Sequence, residues 1–147
     1  MSTSVKQVLE RKGSNAYSVG PNATVLEALT AMAEHDIGAV LVTEGDRLVG
    51  IFTERDYARK VVLRGLSSKD SKISELMTPN VCTITPSHTM DQVMNIMTDN
   101  RFRHLPVVDH GKIAGIITIG DVVKTVIAMQ EATIQQLSSY IAGDITT

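Results

Sequence analysis

The chain of 147 residues has 43% hydrophobic and 20% charged residues, which is typical of a folded globular protein and unlike disordered or disulfide-rich chains. Fourteen basic and sixteen acidic residues give a net charge of −2, which argues against a nucleic-acid-binding face. The longest apolar runs, such as Ile113–Ile119, are far shorter than the ~20 residues of a membrane span, and the single cysteine, Cys82, favours a reducing compartment. We therefore expect a cytoplasmic protein with no membrane contact, formed by one domain or two small units that share a core.

An internal repeat organises the chain. When the sequence is shifted by 65 positions, Pro21–Asp56 aligns with Pro86–Asp121 without a gap. Eight of these 36 aligned positions are identical. Chance similarity would be scattered and would need gaps, so the alignment indicates a tandem duplication.

Hydrophobic patterning predicts the same elements in both copies, with capping boxes at Thr24-x-x-Glu27 and Thr89-x-x-Gln92 that open a helix in each. Residues 1–16 are predicted to form an N-terminal helical segment and residues 67–80 a polar linker. The first copy, residues 17–66, is predicted to contain a strand at Tyr17–Val19, a helix after Thr24, a hairpin of Ile37–Val42 and Leu48–Phe52, and a helix over Glu54–Arg64. The second copy, residues 81–143, is predicted to contain a strand at Val81–Ile84, a helix after Thr89, a hairpin of Leu105–Val108 and Ile113–Ile117, and a long helix from Ile119 to Tyr140.

Each unit therefore has the order β-α-β-β-α. One unit of ~50 residues would be marginal alone, because so short a chain buries little of its surface. We expect an α/β (α+β) fold in which two pseudo-symmetric repeats pack sheet to sheet.

The end of each copy carries the most specific pattern. Val49–Asp56 reads Val-Gly-Ile-Phe-Thr-Glu-Arg-Asp, and Ala114–Asp121 reads Ala-Gly-Ile-Ile-Thr-Ile-Gly-Asp. Together with Arg103–Asp109 and Met77–Pro79, these segments resemble tandem cystathionine-β-synthase (CBS) domains, the Bateman module, whose signature is Gly-apolar-apolar-Ser/Thr-x-x-Asp. The resemblance covers about Val5–Ile127 and is strongest to small stand-alone bacterial and archaeal CBS pairs.

A Thr at a strand end followed by x-x-Asp has two interpretations. It can cap the next helix, because the Thr oxygen accepts from free N–H groups and an early Asp suits the helix dipole. The same geometry can bind a nucleoside 5′-phosphate, since free N–H groups and a hydroxyl hold phosphate while the carboxylate accepts from the ribose hydroxyls. Both interpretations are open for Thr53/Asp56 and Thr118/Asp121, and the presence of both residues in both copies favours binding.

The resemblance implies that these residues bind adenosyl ligands in two unequal pockets, each shared between the copies. The first pocket would combine a Thr–Asp pair with cations suited to phosphate: Thr53, Asp56, Arg101, Arg103 and His104. The second would combine the other pair with small and acidic groups: Thr118, Asp121, Asp36, Gly38 and Ala39. Further candidates are Tyr17, Ser18, Ile37, Arg55, Thr83 and Gly120. Arg101 and Arg103 can also be interpreted as a solvated helix end.

Three functions are compatible with this pattern. The first is a regulatory module for energy sensing or signal transduction that binds AMP, ADP, ATP, NAD or S-adenosylmethionine and acts on a protein target. The second is a nucleotide hydrolase, which would need a general base or a metal-binding carboxylate cluster. The third is a ligand-free scaffold for dimerisation or docking. The histidines show no metal-ligand spacing and no catalytic motif is present, so we expect a binding module without enzymatic activity and without a metal.

The long C-terminal helix predicts a homodimer. Ile127, Ile134 and Ile141 recur seven residues apart, with Val123 and Leu137 on a neighbouring row. An apolar stripe longer than one small module can cover usually marks an interface. The alternative is that this helix folds back onto its own subunit, against Val5–Leu9.

Overall fold

The computed structural model describes residues 3–142 as an α/β fold with two similar halves. Its elements in chain order are α1 (Val5–Lys12), β1 (Ser18–Val19), α2 (Val25–His35), β2 (Ala39–Glu44), β3 (Arg47–Thr53), α3 (Glu54–Asp56) continuing as a π-helix (Tyr57–Val62), α4 (Ile73–Leu76), α5 (Met90–Asn100), β4 (His104–Asp109), β5 (Lys112–Thr118) and α6 (Ile119–Ile141). None of the helices within residues 3–142 is long and apolar enough to cross a membrane.

The two hairpins have the same register. β2 and β3 pair antiparallel with Ala39 opposite Thr53, and β1 pairs parallel with β2. β4 and β5 pair antiparallel with His104 opposite Thr118, the positions that the 65-residue shift makes equivalent. The structure therefore confirms two pseudo-symmetric repeats.

Successive side chains of a strand point alternately into a core covered by helices and into a central layer between the two sheets. On β2, Val40 and Val42 join the core beneath α2, whereas Leu41 joins a separate cluster. That central cluster contains residues of both sheets: Ala39, Leu41, Leu48, Ile51, Ile113 and Ile116. The two sheets thus pack against each other through one apolar layer, as the duplication predicts.

The helix that precedes each repeat packs on the other repeat. α1 buries Val5, Val8 and Leu9 in the core of the second repeat. α4 buries Ile73 and Leu76 in the core of the first. Each repeat therefore obtains part of its hydrophobic core from a helix that belongs, in sequence, to its neighbour.

Backbone hydrogen bonds repeat this crossed arrangement. The N–H of Val5 donates to the carbonyl of His88 at 2.8 Å, and the N–H of Ile73 donates to the carbonyl of Ala23 at 2.8 Å. Ala23 and His88 are equivalent under the 65-residue shift, so α1 and α4 are equivalent too. The duplication thus includes the helix before each repeat.

Three predicted elements differ in the structure. Val81–Ile84 is not a strand, because its one β contact is a parallel bridge between Ile84 and Val107. The helix predicted over Glu54–Arg64 is α-helical for one turn and then becomes a π-helix to Val62. The predicted linker contains α4, whose apolar side chains fill the first core.

Two finer predictions are also corrected. The Thr24 hydroxyl accepts from the N–H of Glu27 at 3.1 Å, but the reciprocal bond of a capping box is formed at Thr89 and not at Thr24. The helical spacing of Met94 also predicts a core position, but its side chain is 37% exposed, because the buried stripe of α5 follows Met90, Val93 and Met97.

A glycine in β3 tests the contact between α4 and the first repeat. A Cβ added at Gly50 would overlap the Met77 side chain, which follows α4, so Gly50→Ala should destabilise the protein by about 1–3 kcal/mol in urea unfolding. A Cβ at Gly20 meets nothing within 4 Å, so Gly20→Ala is the matched control, with a change below about 0.5 kcal/mol. In a Met77→Ala background the cost of Gly50→Ala should shrink. An unchanged cost there would contradict the contact.

Candidate functional site

A reciprocal capping box lies at each strand–helix junction. In the first, the Thr53 hydroxyl accepts from the N–H of Asp56 at 3.1 Å, and Asp56 Oδ2 accepts from the N–H and hydroxyl of Thr53 at 3.0 and 3.1 Å. Thr118 and Asp121 repeat these contacts at 3.3, 2.8 and 3.1 Å. The capping interpretation therefore applies to both motifs, and any ligand must bind around a carboxylate that already holds a helix start.

Most backbone N–H groups at these helix starts already have acceptors. The N–H of Glu54 donates to the carbonyl of Gly38 at 3.0 Å, and that of Ile119 to the carbonyl of Arg103 at 2.9 Å. The N–H of the third helical residue, Asp56 or Asp121, donates to the Thr hydroxyl. The N–H of the second helical residue, Arg55 or Gly120, has no such acceptor within residues 3–142. A phosphate would thus find fewer backbone donors than the sequence suggests.

The first carboxylate is held on both oxygens. Asp56 Oδ1 lies 3.2 Å from Nζ of Lys60 and accepts from the Thr78 hydroxyl at 3.3 Å. Lys60 also donates to the carbonyl of Leu76 at 3.2 Å. Lys60 is not among the predicted site residues, although its spacing of four residues from Asp56 is a recognisable helical ion-pair signal.

The second carboxylate has a different lysine partner. Nζ of Lys12, the last residue of α1, lies 2.7 Å from Asp121 Oδ2 and donates to the carbonyl of Ile116 at 2.9 Å. Asp121 Oδ2 thus carries the cap and the ion pair, while Oδ1 has no hydrogen-bond partner within the described part of the chain. No sequence signal connects Lys12 with Asp121, because the contact depends on the crossed packing of α1.

A cavity of about 200 Å³ lies between the repeats at the second motif. It is lined by residues of both repeats: Asn15, Ala16, Tyr17, Asp36, Ile37, Gly38, Ala39, His104, Ile116 and Thr118. The Tyr17 ring stacks on the ring of His35, with centroids 3.6 Å apart and planes 10° apart. This stacking fixes one aromatic wall of the cavity.

The other predicted site residues are distributed over three places. Arg55 Nη1 donates to the carbonyl of Arg101 at 3.3 Å, which joins these two residues near the first motif, and the Arg101 and Arg103 side chains are exposed. Ser18 is exposed on β1. Thr83 lies away from the cavity, in an open groove of about 780 Å³ between the hairpin turns.

His104 lies in the cavity at Thr118, whereas the resemblance implies a place for it beside Thr53 and Asp56. It is the first residue of β4 and stands directly opposite Thr118 in the hairpin. Its ring therefore lines the same cavity as Thr118, facing Gly38.

Comparisons with known proteins identify the family. The family profile described as CBS domain matches residues 2–63 and 73–128. The chain belongs to the CBS-domain family. The mitochondrial CBS domain-containing protein CBSX3 of Arabidopsis thaliana is 38% identical over 151 residues, covering 97% of this chain and 73% of the relative.

Solved CBS structures have the same fold. A putative signal-transduction protein with CBS domains from Burkholderia ambifaria is 51% identical, with a TM-score of 0.83, covering 86% of this chain and 95% of that one. A CBS domain pair solved in complex with 5′-methylthioadenosine and S-adenosyl-L-methionine is 28% identical, with a TM-score of 0.74, covering 84% of this chain and 95% of that one.

The CBS pair shows the features of a regulatory module. CBS-domain proteins are generally regulatory and non-catalytic. Within residues 3–142 there is no group of three or more His, Cys, Asp or Glu residues that could hold a metal ion. The groups that line the cavity offer hydrogen bonds and apolar contact.

Burial dominates the electrostatics of His104 in the CBS cavity. Desolvation lowers the pKa of His104 below its ordinary value of 6.5, the carboxylate of Glu54 opposes that shift, and the nearby cations Arg103 and Lys12 add to it. The side chain of Glu54 reaches the same place, because a Cβ at Gly38 would meet its Oε1 at 2.9 Å and His104 Nε2 at 3.5 Å. The neutral imidazole is thus the favoured form in the folded protein.

This lowered pKa predicts a pH-dependent stability. Above pH 6.5 His104 is neutral in both states, but as the pH falls the unfolded chain takes up the proton first, so stability is lost until the lower folded pKa is passed. Urea unfolding between pH 7 and pH 5 should show a smaller loss for His104→Gln than for wild type. His110→Gln, at the exposed β4–β5 turn, is the matched control. An identical pH slope in His104→Gln and wild type would refute this assignment.

Proposed function

We propose that this CBS pair is a regulatory module that binds an adenosyl compound in the second cleft. The observation that carries the proposal is the cavity between the repeats, which Thr118 lines together with Gly38 and Ala39. Apolar walls with a few polar groups are the usual features of a small-molecule site. The aromatic wall formed by Tyr17 on His35 suits a flat base.

The size of the cavity suggests which part of the ligand enters. Its volume of about 200 Å³ is below the ~300–1,000 Å³ of pockets that enclose a drug-sized molecule. A base-sized ring fits within it, whereas the sugar and any phosphates would extend toward the start of α6. We therefore propose recognition of the adenine ring inside the cavity and of the ribose at its rim.

Asp121 is the proposed ribose-binding residue. Its Oδ2 holds the cap and Lys12, which leaves Oδ1 to accept from the 2′- and 3′-hydroxyls. The carboxylate is held in place by the cap, so its orientation costs little when a ligand binds. Thr118 and Gly120 would contribute a hydroxyl and a backbone N–H beside it.

The first cleft is proposed as a weaker site. Arg101 and Arg103 supply cations for a phosphate, and Arg55 contacts the Arg101 backbone. However, both oxygens of Asp56 are engaged by Thr53, Lys60 and Thr78, so a ribose would have to displace existing partners. We expect the two clefts to differ in affinity.

The proposed ligand class is AMP, ADP, ATP, NAD or S-adenosylmethionine, and the proposed output is the control of a protein partner. The likeness to a CBS pair solved with adenosyl ligands supports this class. We propose binding rather than hydrolysis because CBS-domain proteins are generally regulatory and non-catalytic. The single cysteine, Cys82, supports our proposal of a reducing compartment, the cytoplasm.

Removal of the Asp121 carboxylate tests the ribose assignment. Asp121→Ala should bind adenosine at least about tenfold more weakly by calorimetry, because a hydrogen bond to a charged group contributes about 1.5–3 kcal/mol. Wild type should bind 2′,3′-dideoxyadenosine as weakly as the variant binds adenosine. Asp99→Ala, on the exposed side of α5, is the control.

Two outcomes would count against the proposal. If no adenosyl compound raises the melting temperature of wild type, the proposed ligand-binding function is wrong, because a ligand that binds only the folded state must stabilise that state. If nucleotides are consumed during the incubation, the protein is a hydrolase. A variant that still prefers adenosine over the dideoxy compound would assign the ribose to another residue.

We also propose that the protein is a homodimer formed through α6. The apolar stripe on this helix remains uncovered, with exposures of 50% at Val123, 49% at Ile127, 62% at Ile134 and 57% at Leu137. The Val5–Leu9 segment, which could have covered it, is buried in the second repeat. A single chain thus leaves a continuous hydrophobic row in water, which favours self-association. The same row supports the alternative function, a docking scaffold that needs no ligand.

A charge in the stripe tests the dimer. Sedimentation of wild type should give about twice the 15.9 kDa chain mass, and Ile134→Asp should give the monomer, because a buried carboxylate without a partner is costly. Gln136→Asp lies on the opposite face of α6 and should remain dimeric. A wild-type monomer at tens of micromolar, with or without nucleotide, would exclude the dimer.

A further inference from the structure

The two clefts differ in what covers the end of the hairpin beside the aspartate. In the first cleft, the carbonyl of Ile51 accepts from the backbone N–H of Thr78 at 2.8 Å, and the Thr78 hydroxyl donates to Asp56 at 3.3 Å. Ile51 and Ile116 are equivalent positions of the two repeats. In the second cleft, one side chain replaces both contacts, because Nζ of Lys12 bonds the carbonyl of Ile116 and the carboxylate of Asp121.

This difference affects how easily each contact can be exchanged. Thr78 belongs to a backbone segment that is paired with Ile51 in both directions, so it cannot leave without breaking that pairing. Lys12 reaches its partners through a flexible four-carbon stem. Its side chain is 29% exposed, and an ion pair that is partly open to water is weak enough to be rearranged.

The backbone of Lys12 is nevertheless held in place by the packing of α1. Leu9 packs so closely against Gly115 that a Cβ there would lie 2.8 Å from Leu9 Cδ2. α1 ends at Lys12, and the N–H of Gly13 closes the helix on the carbonyl of Leu9 at 2.8 Å. The packing of α1 on the second repeat therefore delivers a cation to the start of α6.

We propose that Lys12 is a ligand-binding residue of the second cleft and that it selects adenosyl ligands carrying an anionic group. This inference rests on the proposed adenosyl site. Two of the three ammonium hydrogens are used by Ile116 and Asp121, so the third is available to a phosphate or carboxylate of the ligand. The residues predicted for this pocket are small and acidic, and Lys12 adds a cation directly beside Asp121.

Affinities for adenosine and AMP, which differ by the phosphate, test the assignment. Lys12→Gln should weaken AMP about tenfold or more and adenosine less than about twofold, since a charge-assisted hydrogen bond is lost with the phosphate alone. Lys12→Arg should retain the preference for AMP. Lys6→Gln, an exposed lysine of the same helix, is the matched control and should bind both ligands like wild type.

A second pair of variants removes the complication of an unpaired carboxylate. Lys12→Gln combined with Asp121→Asn leaves no isolated charge, and it is compared with Asp121→Asn alone. The ratio of AMP to adenosine affinity should be retained in the single variant and lost in the double. An equal ratio in the two would overturn the role of Lys12, whereas a wild type that binds neither compound would instead overturn the proposed adenosyl site.

Discussion

Val5, Val8 and Leu9 are separated from the second repeat by the whole of the first repeat, yet they supply part of the core of the second. The first repeat depends in the same way on Ile73 and Leu76. Because neither repeat has a complete hydrophobic core without the helix that precedes the other, the two cannot separate without exposing apolar surface. The cleft between them is therefore bounded by walls whose relative position is fixed, a condition for a preorganised binding site.

The crossed packing also explains why two nearly identical motifs make different sites. Thr53/Asp56 and Thr118/Asp121 form the same cap, so the difference arises from the segment that each crossing helix brings alongside. The segment that follows α4 pairs with β3, and Thr78 closes the first cleft there with backbone hydrogen bonds to Ile51. At the end of α1, in contrast, the chain turns away at Gly13, whose φ of 95° allows that turn. The side chain of Lys12 then occupies the place equivalent to that of Thr78. The flanking helices thus give the two Thr–Asp motifs different surroundings.

The sequence predicts the repeats and hairpins because these depend on local periodicity and on caps that lie within a few residues. The sequence also predicts a strand over Val81–Ile84, because these residues favour strands. In the structure this segment has a single bridge, at Ile84, and is not a strand. The sequence does not predict α4, since four residues carry too little periodicity to be recognised.

The sequence predicts the Thr–Asp pairs of the candidate site, but it does not predict the lysines that contact them. The segments of α1 and α4 are offset by 68 residues, Val5 matching Ile73, whereas the rest of the repeat is offset by 65, so a gapless alignment does not reveal them. Lys12 is consequently identified only by tertiary packing. The position of His104 in the cavity at Thr118 is not evident from the sequence for a related reason: strand register, which places it opposite Thr118, is a property of the folded hairpin.

The exchange of helices bears on how such a chain could arise. A single repeat with its own leading helix could bury the equivalents of Val5, Val8 and Leu9 only against a second copy, so its folding would depend on protein concentration. Fusion of two copies makes the same exchange intramolecular, at the millimolar effective concentration that a short connection provides. It also frees each half to change alone, because a substitution in one copy is no longer imposed on both. The lysine at one cleft and the threonine at the other are the kind of divergence that a symmetric pair of separate chains cannot reach.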